Sequence, residues 1–189
     1  MIEWLLQQGG DDVRYRLARL LLQDDVAKEF HVVLIDVAPR MTTGTVNALC
    51  ASTHVLVPTI FNPLGAEPVQ NFLAMATGLM DTLNPKLKFL GIVETMVPPA
   101  NQGKTARDEG RRIIAEALMH FPGVRVLKSK VPRQPAIADM GSSALAALTG
   151  KPATRRIFED LGHEIRALVK EEPERQIHPS VKHETQAIA

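Results

Sequence analysis

Asp36 is the residue whose surroundings most clearly suggest chemistry. Four aliphatic residues, Val32 to Ile35, lead into this acid, and Val37, Ala38 and Pro39 follow it. A buried strand ending in a carboxylate delivers that group at a fixed height to a magnesium ion, or to its bound water, beside a nucleotide's phosphates. This is the Walker B arrangement, although an Asp closing a strand also serves as a turn or helix-cap residue. Gly103-Lys104-Thr105 is a second candidate, because it lies between a predicted strand and a predicted helix, where a phosphate loop would sit. A Walker A loop needs a glycine five residues before Gly103, but that position is Pro98, and Pro99 follows. Two prolines remove amides that the phosphate cradle would use, which leaves a loop capping a helix N-terminus as the plainer reading. Short basic clusters occur at Arg111-Arg112, at Lys128, Lys130 and Arg133, and at Arg155-Arg156 with Arg166. They read either as contacts to nucleic-acid phosphates or as ordinary solvated faces. Cys50 is the single cysteine, so a disulfide framework and a multi-cysteine metal site are excluded, and the six histidines show no zinc-like spacing.

The elements that must position these groups follow from the patterning. Aliphatic and β-branched runs at 31–37, 54–60, 88–97 and 124–131 are predicted strands, apolar on both faces. Helical periodicity is predicted over 12–29, 43–51, 66–82, 105–121, 135–148 and 153–170. Strands buried on both sides and alternating with helices imply crossover connections and a mostly parallel sheet, an α/β three-layer domain with helices on both faces. Each strand runs into turn chemistry at Ala38-Pro39, Asn62-Pro63, Pro98-Pro99 or Pro132. Ligands of open parallel sheets sit beyond the carboxyl ends of the strands, so the chemistry is expected in those loops.

Taken together, the run FHVVLIDVAPRMTTGTVNALCASTHVLVPTIFNPLG resembles the corresponding stretch of the ParA/MinD family of deviant P-loop ATPases, in its ParA partition branch. The shared features are Asp36 to Pro39, the Asn47-Ala48-Leu49 helix and the strand ending Val57-Pro58. Further on, Phe89 to Met96 looks like the family strand ending in Thr-Met, and Val131-Pro132-Arg133 like its Ile-Pro-Arg segment. The resemblance covers about residues 14–170 and implies a P-loop NTPase-like fold, with ATP and Mg2+ as cofactors. It implies that Asp36 helps to hold hydrated magnesium and that Pro39 shapes the turn after it. It also implies that the loop after Thr95 and the segment around Pro132 flank the adenine, although strand residue and strand terminator are equally open for these two.

The family's strand and glycine-rich Lys-Gly-Gly-x-Gly-Lys-Thr loop do not precede Asp36 in these 189 residues. Gly9-Gly10-Asp11-Asp12 is acidic and would repel phosphate. The motif order therefore implies the last two thirds of a family domain, without the first strand and phosphate loop. The chain has 45% hydrophobic and 23% charged residues, which excludes a disordered protein. With 22 basic and 21 acidic residues the net charge is +1, so any nucleic acid must be held by a local patch. The apolar stripe Ile157, Phe158, Leu161, Ile165, Leu168 and Val169 reads as a helix face packed on the domain rather than on membrane, since a polar tail follows it. The expected organisation is one domain over 1–170 and a polar, disordered tail over 171–189, in a cytoplasmic protein with no membrane partner. The expected function is ParA-like DNA segregation, with a homodimer, non-specific DNA at Arg111, Arg112, Lys128, Lys130 and Arg133, and a partition partner protein or full-length relative. ATP hydrolysis by this chain alone is not expected. The alternative is a non-catalytic interaction module that keeps the ParA-like body.

Overall fold

The computed structural model describes residues 12–38, 40–99, 102–134 and 152–170, and the statements below concern these. They fall into two compact units. One contains the described residues of Met1–Val55 together with Ala74–Lys88, and the other contains Leu56–Leu73 with the described residues of Phe89–Pro173. The predicted helix over 135–148, the tail over 171–189 and Pro39 lie outside the described residues.

In the first unit, a short turn at Val13–Tyr15 leads into α1 (Arg16–Leu21) and α2 (Asp24–Glu29). These replace the single helix expected over 12–29. The break comes at Gln23, whose extended backbone (ψ 137°) lets Asp24 open a new first turn, where an acid suits the positive helix end. Thr42 caps α3 (Thr43–Ala51) by accepting from the Thr45 amide at 3.2 Å. Asn47 ties α3 to α1: its side-chain oxygen accepts from the Leu17 amide at 3.3 Å, while its amide group donates to the Thr43 carbonyl at 3.0 Å. Asn84 donates to the carbonyls of Leu49 at 2.8 Å and Ser52 at 2.9 Å, and the Tyr15 hydroxyl donates to the Leu83 carbonyl at 2.9 Å. Ala18, Val46, Leu49, Leu79, Leu83 and Leu87 are buried among these elements.

The strand expected over 31–37 is not formed: residues 32–38 lie in neither helix nor strand. Val32 is 74% exposed and Leu34 92% exposed, and Asp36 is exposed beside them. The physical reason is that strand propensity is local whereas a ladder needs a neighbour to satisfy backbone N–H and C=O groups. No described strand pairs with this run, despite its β-branched composition.

The sheet has three described strands, β1 (His54–Thr59), β2 (Lys88–Val97) and β3 (Val126–Pro132), in the order β1-β2-β3. Asn62 and Pro63 start α4 (Pro63–Leu83) as cap and first residue; the Asn62 side chain accepts from the Gly65 amide at 2.8 Å. β2 and β3 pair in parallel, with Ile92 opposite Val126, Glu94 opposite Lys130 and Val97 opposite Pro132. Between the first two pairs β2 advances two residues and β3 advances four, so β3 bulges around 127–129. Between them in sequence, α5 (Lys104–Leu118) forms the crossover. Gly110 on α5 passes so close to the Phe61-Asn62 turn that a Cβ would stand 2.5 Å from the Asn62 nitrogen. The last helix, α6 (Pro152–Lys170), packs on β3, with Ile157, Phe158, Leu161, Ile165 and Leu168 half-buried. Five of the six stripe residues thus form a packing face while Val169 is exposed, and no described helix is long and apolar enough to cross a membrane. Phe61, Leu73, Leu90, Ile92, Val93, Ile114 and Leu127 form the core of this unit.

Candidate functional site

The carboxyl ends of β2 and β3 bring two of the expected adenine-flanking segments together. Val97 lies opposite Pro132, and the Arg133 amide donates to the Val97 carbonyl at 2.8 Å. Just after Thr95, and still within β2, Met96 takes a left-handed backbone (φ 52°), rare for a residue with a side chain. Thr95 and Pro132 are both half-buried. Open α/β sheets bind ligands in such a position. Asp36 belongs to the other unit and is presented on the exposed segment described above. A lone exposed carboxylate suits magnesium, which keeps most of its water and needs one or two protein oxygens plus the phosphates. The described residues hold no group of three or more His, Cys, Asp or Glu side chains that would enclose a metal by themselves. For the phosphates the fit is poor. Gly103 (φ 60°) caps α5 with no side-chain hydrogen bond, and Lys104 and Thr105 are exposed in its first turn, but no glycine-rich cradle surrounds them.

The strongest electrostatic feature was not among the expected site residues. Glu94, in the middle of β2, is 2% exposed and is held by three cations. The Arg107 Nε donates to Oε1, while an Arg111 Nη and the Lys130 Nζ each lie 3.5 Å from Oε2. Burial pushes this carboxyl up, but the Arg107 hydrogen bond and the charges of Arg107, Lys130 and Arg111 outweigh it and hold Glu94 below the ordinary glutamate range. The signal available in the sequence was an acid inside the otherwise apolar run FLGIVETMV, followed by an arginine-bearing helix.

This arrangement places the basic residues differently from a bare patch. Arg111 and Lys130 converge on Glu94, and Arg112 pairs with Glu109 at 2.7 Å and with Glu116. The side chains of Lys128 and Arg133 are exposed. Glu164 on α6 accepts from the adjacent amides of Lys128 and Ser129, both at 2.8 Å, and so fills the small anion nest that the β3 bulge opens. Burial raises the Glu164 carboxyl, and the hydrogen bonds from Ser129 and Lys128 more than reverse this. Cys50 is half-buried, and burial pushes its thiol up to about 11, which makes it a poor nucleophile.

The α/β fold, with parallel β2 and β3 ending side by side, is of the P-loop ATPase-like kind. Comparison with known proteins agrees. The AAA_31 family, an AAA domain, matches residues 3–89. The chromosome-partitioning ATPase Soj of Thermus thermophilus is 29% identical over 144 residues, covering 75% of this chain and 55% of Soj. Protein IncC of Escherichia coli is 34% identical over 104 residues, covering 54% of this chain and 28% of IncC. Among solved structures, cobyrinic acid a,c-diamide synthase from Mycobacterium smegmatis, with bound ATP analogue and magnesium, gives a TM-score of 0.54 at 28% identity. That match covers 70% of this chain and 48% of the synthase. Cyanothece McdA in an ATP complex gives a TM-score of 0.68 at 16% identity over 92% of this chain and 63% of McdA, a likeness of fold alone. By these matches the chain is similar to ParA/MinD-type P-loop ATPases. It spans about half the length of the curated relatives it matches.

Proposed function

We propose that this chain is the body of a ParA-like partition protein, acting in plasmid or chromosome segregation, and that by itself it does not turn over ATP. The observation that carries this reading is the meeting of Thr95–Val97 with Val131–Arg133 at the carboxyl ends of parallel strands. It sits where the family resemblance puts the nucleotide base, and the similarity to Soj adds partition as the process. Asp36 is the proposed magnesium acid and Pro39 the residue shaping the turn after it. Hydrolysis needs backbone amides and a lysine to neutralise the phosphates in the transition state, which one carboxylate cannot replace. Homodimerisation, a partition partner and a cytoplasmic setting belong to the same proposal. DNA contact would fall to Arg111, Lys128, Lys130 and Arg133 rather than to Arg112, which pairs with Glu109 and Glu116. Equilibrium dialysis of Mg-ATP tests the reading, comparing the chain alone with the chain fused to the phosphate-loop segment of the Thermus Soj. Tight binding that requires both the added segment and Asp36 is expected; equal, Asp36-independent binding by both proteins contradicts it.

A second reading, a non-catalytic interaction module, is favoured by the exposed aliphatic run at Val32, Val33 and Leu34. An exposed apolar segment of strand-like composition can add to another chain's sheet edge. On this reading the purified chain self-associates in sedimentation, and Leu34→Lys makes it monomeric without ATP.

A further inference from the structure

A cavity of about 490 Å³ opens between α5 and β3 within the second unit. Its floor is Phe61, Ile114 and Leu127, all buried, and its open apolar wall is half-buried Leu118 with Val126, which is 38% exposed. Its charged lining consists of Arg111, Lys128 and Lys130 against the single carboxylate of Glu94. Glu94 is already matched by Arg107, which stands outside the lining. The other nearby acids do not line the cavity: Asp108 lies 3.7 Å from Arg111, and Glu164, which accepts from the backbone amides of Lys128 and Ser129, is also within electrostatic reach of the Lys128 side chain. The cavity therefore combines apolar walls with surplus positive charge that its own acid does not cancel. Arg111 and Lys130 are 41% and 43% exposed, so each keeps N–H groups turned to solvent beyond those near Glu94.

We propose that this cavity binds a small organic anion, an apolar body carrying one carboxylate, sulfonate or phosphate group. The volume lies in the range of small-molecule sites, which are mostly apolar with a few placed polar groups. The anionic group would face Lys128, Lys130 and Arg111 in charge-assisted hydrogen bonds, and the body would cover Val126 and Leu118. A nucleic-acid phosphate could use the same cations but would leave that wall bare. The inference does not depend on ATP chemistry, since none of these residues belongs to the proposed nucleotide site.

Calorimetric titration of the 189-residue chain with 1-naphthoate tests it, with inorganic phosphate as a charge-only probe and 1-naphthalenemethanol as an apolar-only probe. Naphthoate is expected to bind, and each comparison probe to bind at least about tenfold more weakly. Lys130→Gln and Lys128→Gln should each weaken naphthoate about tenfold, while Lys104→Gln leaves it unchanged. Lys130 also supports Glu94, so Lys128→Gln, which leaves that cluster intact, keeps the test decisive if Lys130→Gln unfolds. No naphthoate binding by folded protein at millimolar concentration, or equal binding in both variants, overturns the proposal. Duplex DNA binding lost in these variants, with no naphthoate binding, would assign the same cations to nucleic acid instead.

Discussion

At Glu94, burial opposes ionisation while Arg107, Arg111 and Lys130 favour it, and the cations prevail. Removing one partner of a buried ion cluster leaves the others uncompensated, which commonly costs several kcal/mol. Glu94→Gln should therefore lower the urea midpoint at neutral pH by an amount equivalent to about 2–3 kcal/mol. Because the folded carboxyl lies below its ordinary value, its contribution is present above the usual glutamate range and disappears as pH falls through the depressed value. The gap between wild type and Glu94→Gln should accordingly be full at pH 7 and close on acidification below about pH 4, the ordinary range of a glutamate. At Gly110 the constraint is steric. A methyl group would meet the backbone of Phe61 and Asn62, so Gly110→Ala should cost about 1–3 kcal/mol in the same assay, despite the better helix propensity of alanine. Neither residue stood out in the sequence as a site, for the same reason. A buried acid among aliphatics and a glycine inside a helix acquire meaning only from partners far along the chain, and pairing at such range is set by tertiary packing.

Elements were legible where local pattern and tertiary context agreed. The run at 88–97 forms β2 over that span, and the Thr43–Ala51 helix is observed as expected, because its threonine cap and apolar face act within a few residues. The run at 31–37 is rich in β-branched residues, yet it lies in neither helix nor strand, since no described strand supplies its ladder. Leu34→Lys should then change stability by less than about 0.5 kcal/mol, the usual range for an exposed site, whereas a loss of several kcal/mol would mean that the run is a buried strand. The bulge in β3 was equally invisible from sequence, although it gives α6 its anchor. Glu164→Ala should leave two backbone amides without their acceptor and cost about 1–3 kcal/mol, with Glu164→Gln losing less because its side-chain oxygen still accepts one. Faster hydrogen exchange at Lys128 and Ser129 in Glu164→Ala, but not at Ile92, is the accompanying observation.

At the scale of the whole molecule, the family likeness rests on motif order and on the similarity to Soj and related proteins, while activity depends on groups that must act together. In the proposed reading the ends of β2 and β3 are the place for a base and Asp36 is the magnesium carboxylate. A glycine-rich lysine loop ahead of Asp36 is not in these 189 residues, and Gly103-Lys104-Thr105 offers only the start of a helix. The proposed polypeptide carries the ParA-like body and the magnesium acid without the phosphate grip. Phosphate release from Mg-ATP by the purified chain, measured beside Asp36→Ala, decides whether it does. The prediction is no release above background from either protein; steady release by the wild-type chain that vanishes in Asp36→Ala would contradict it.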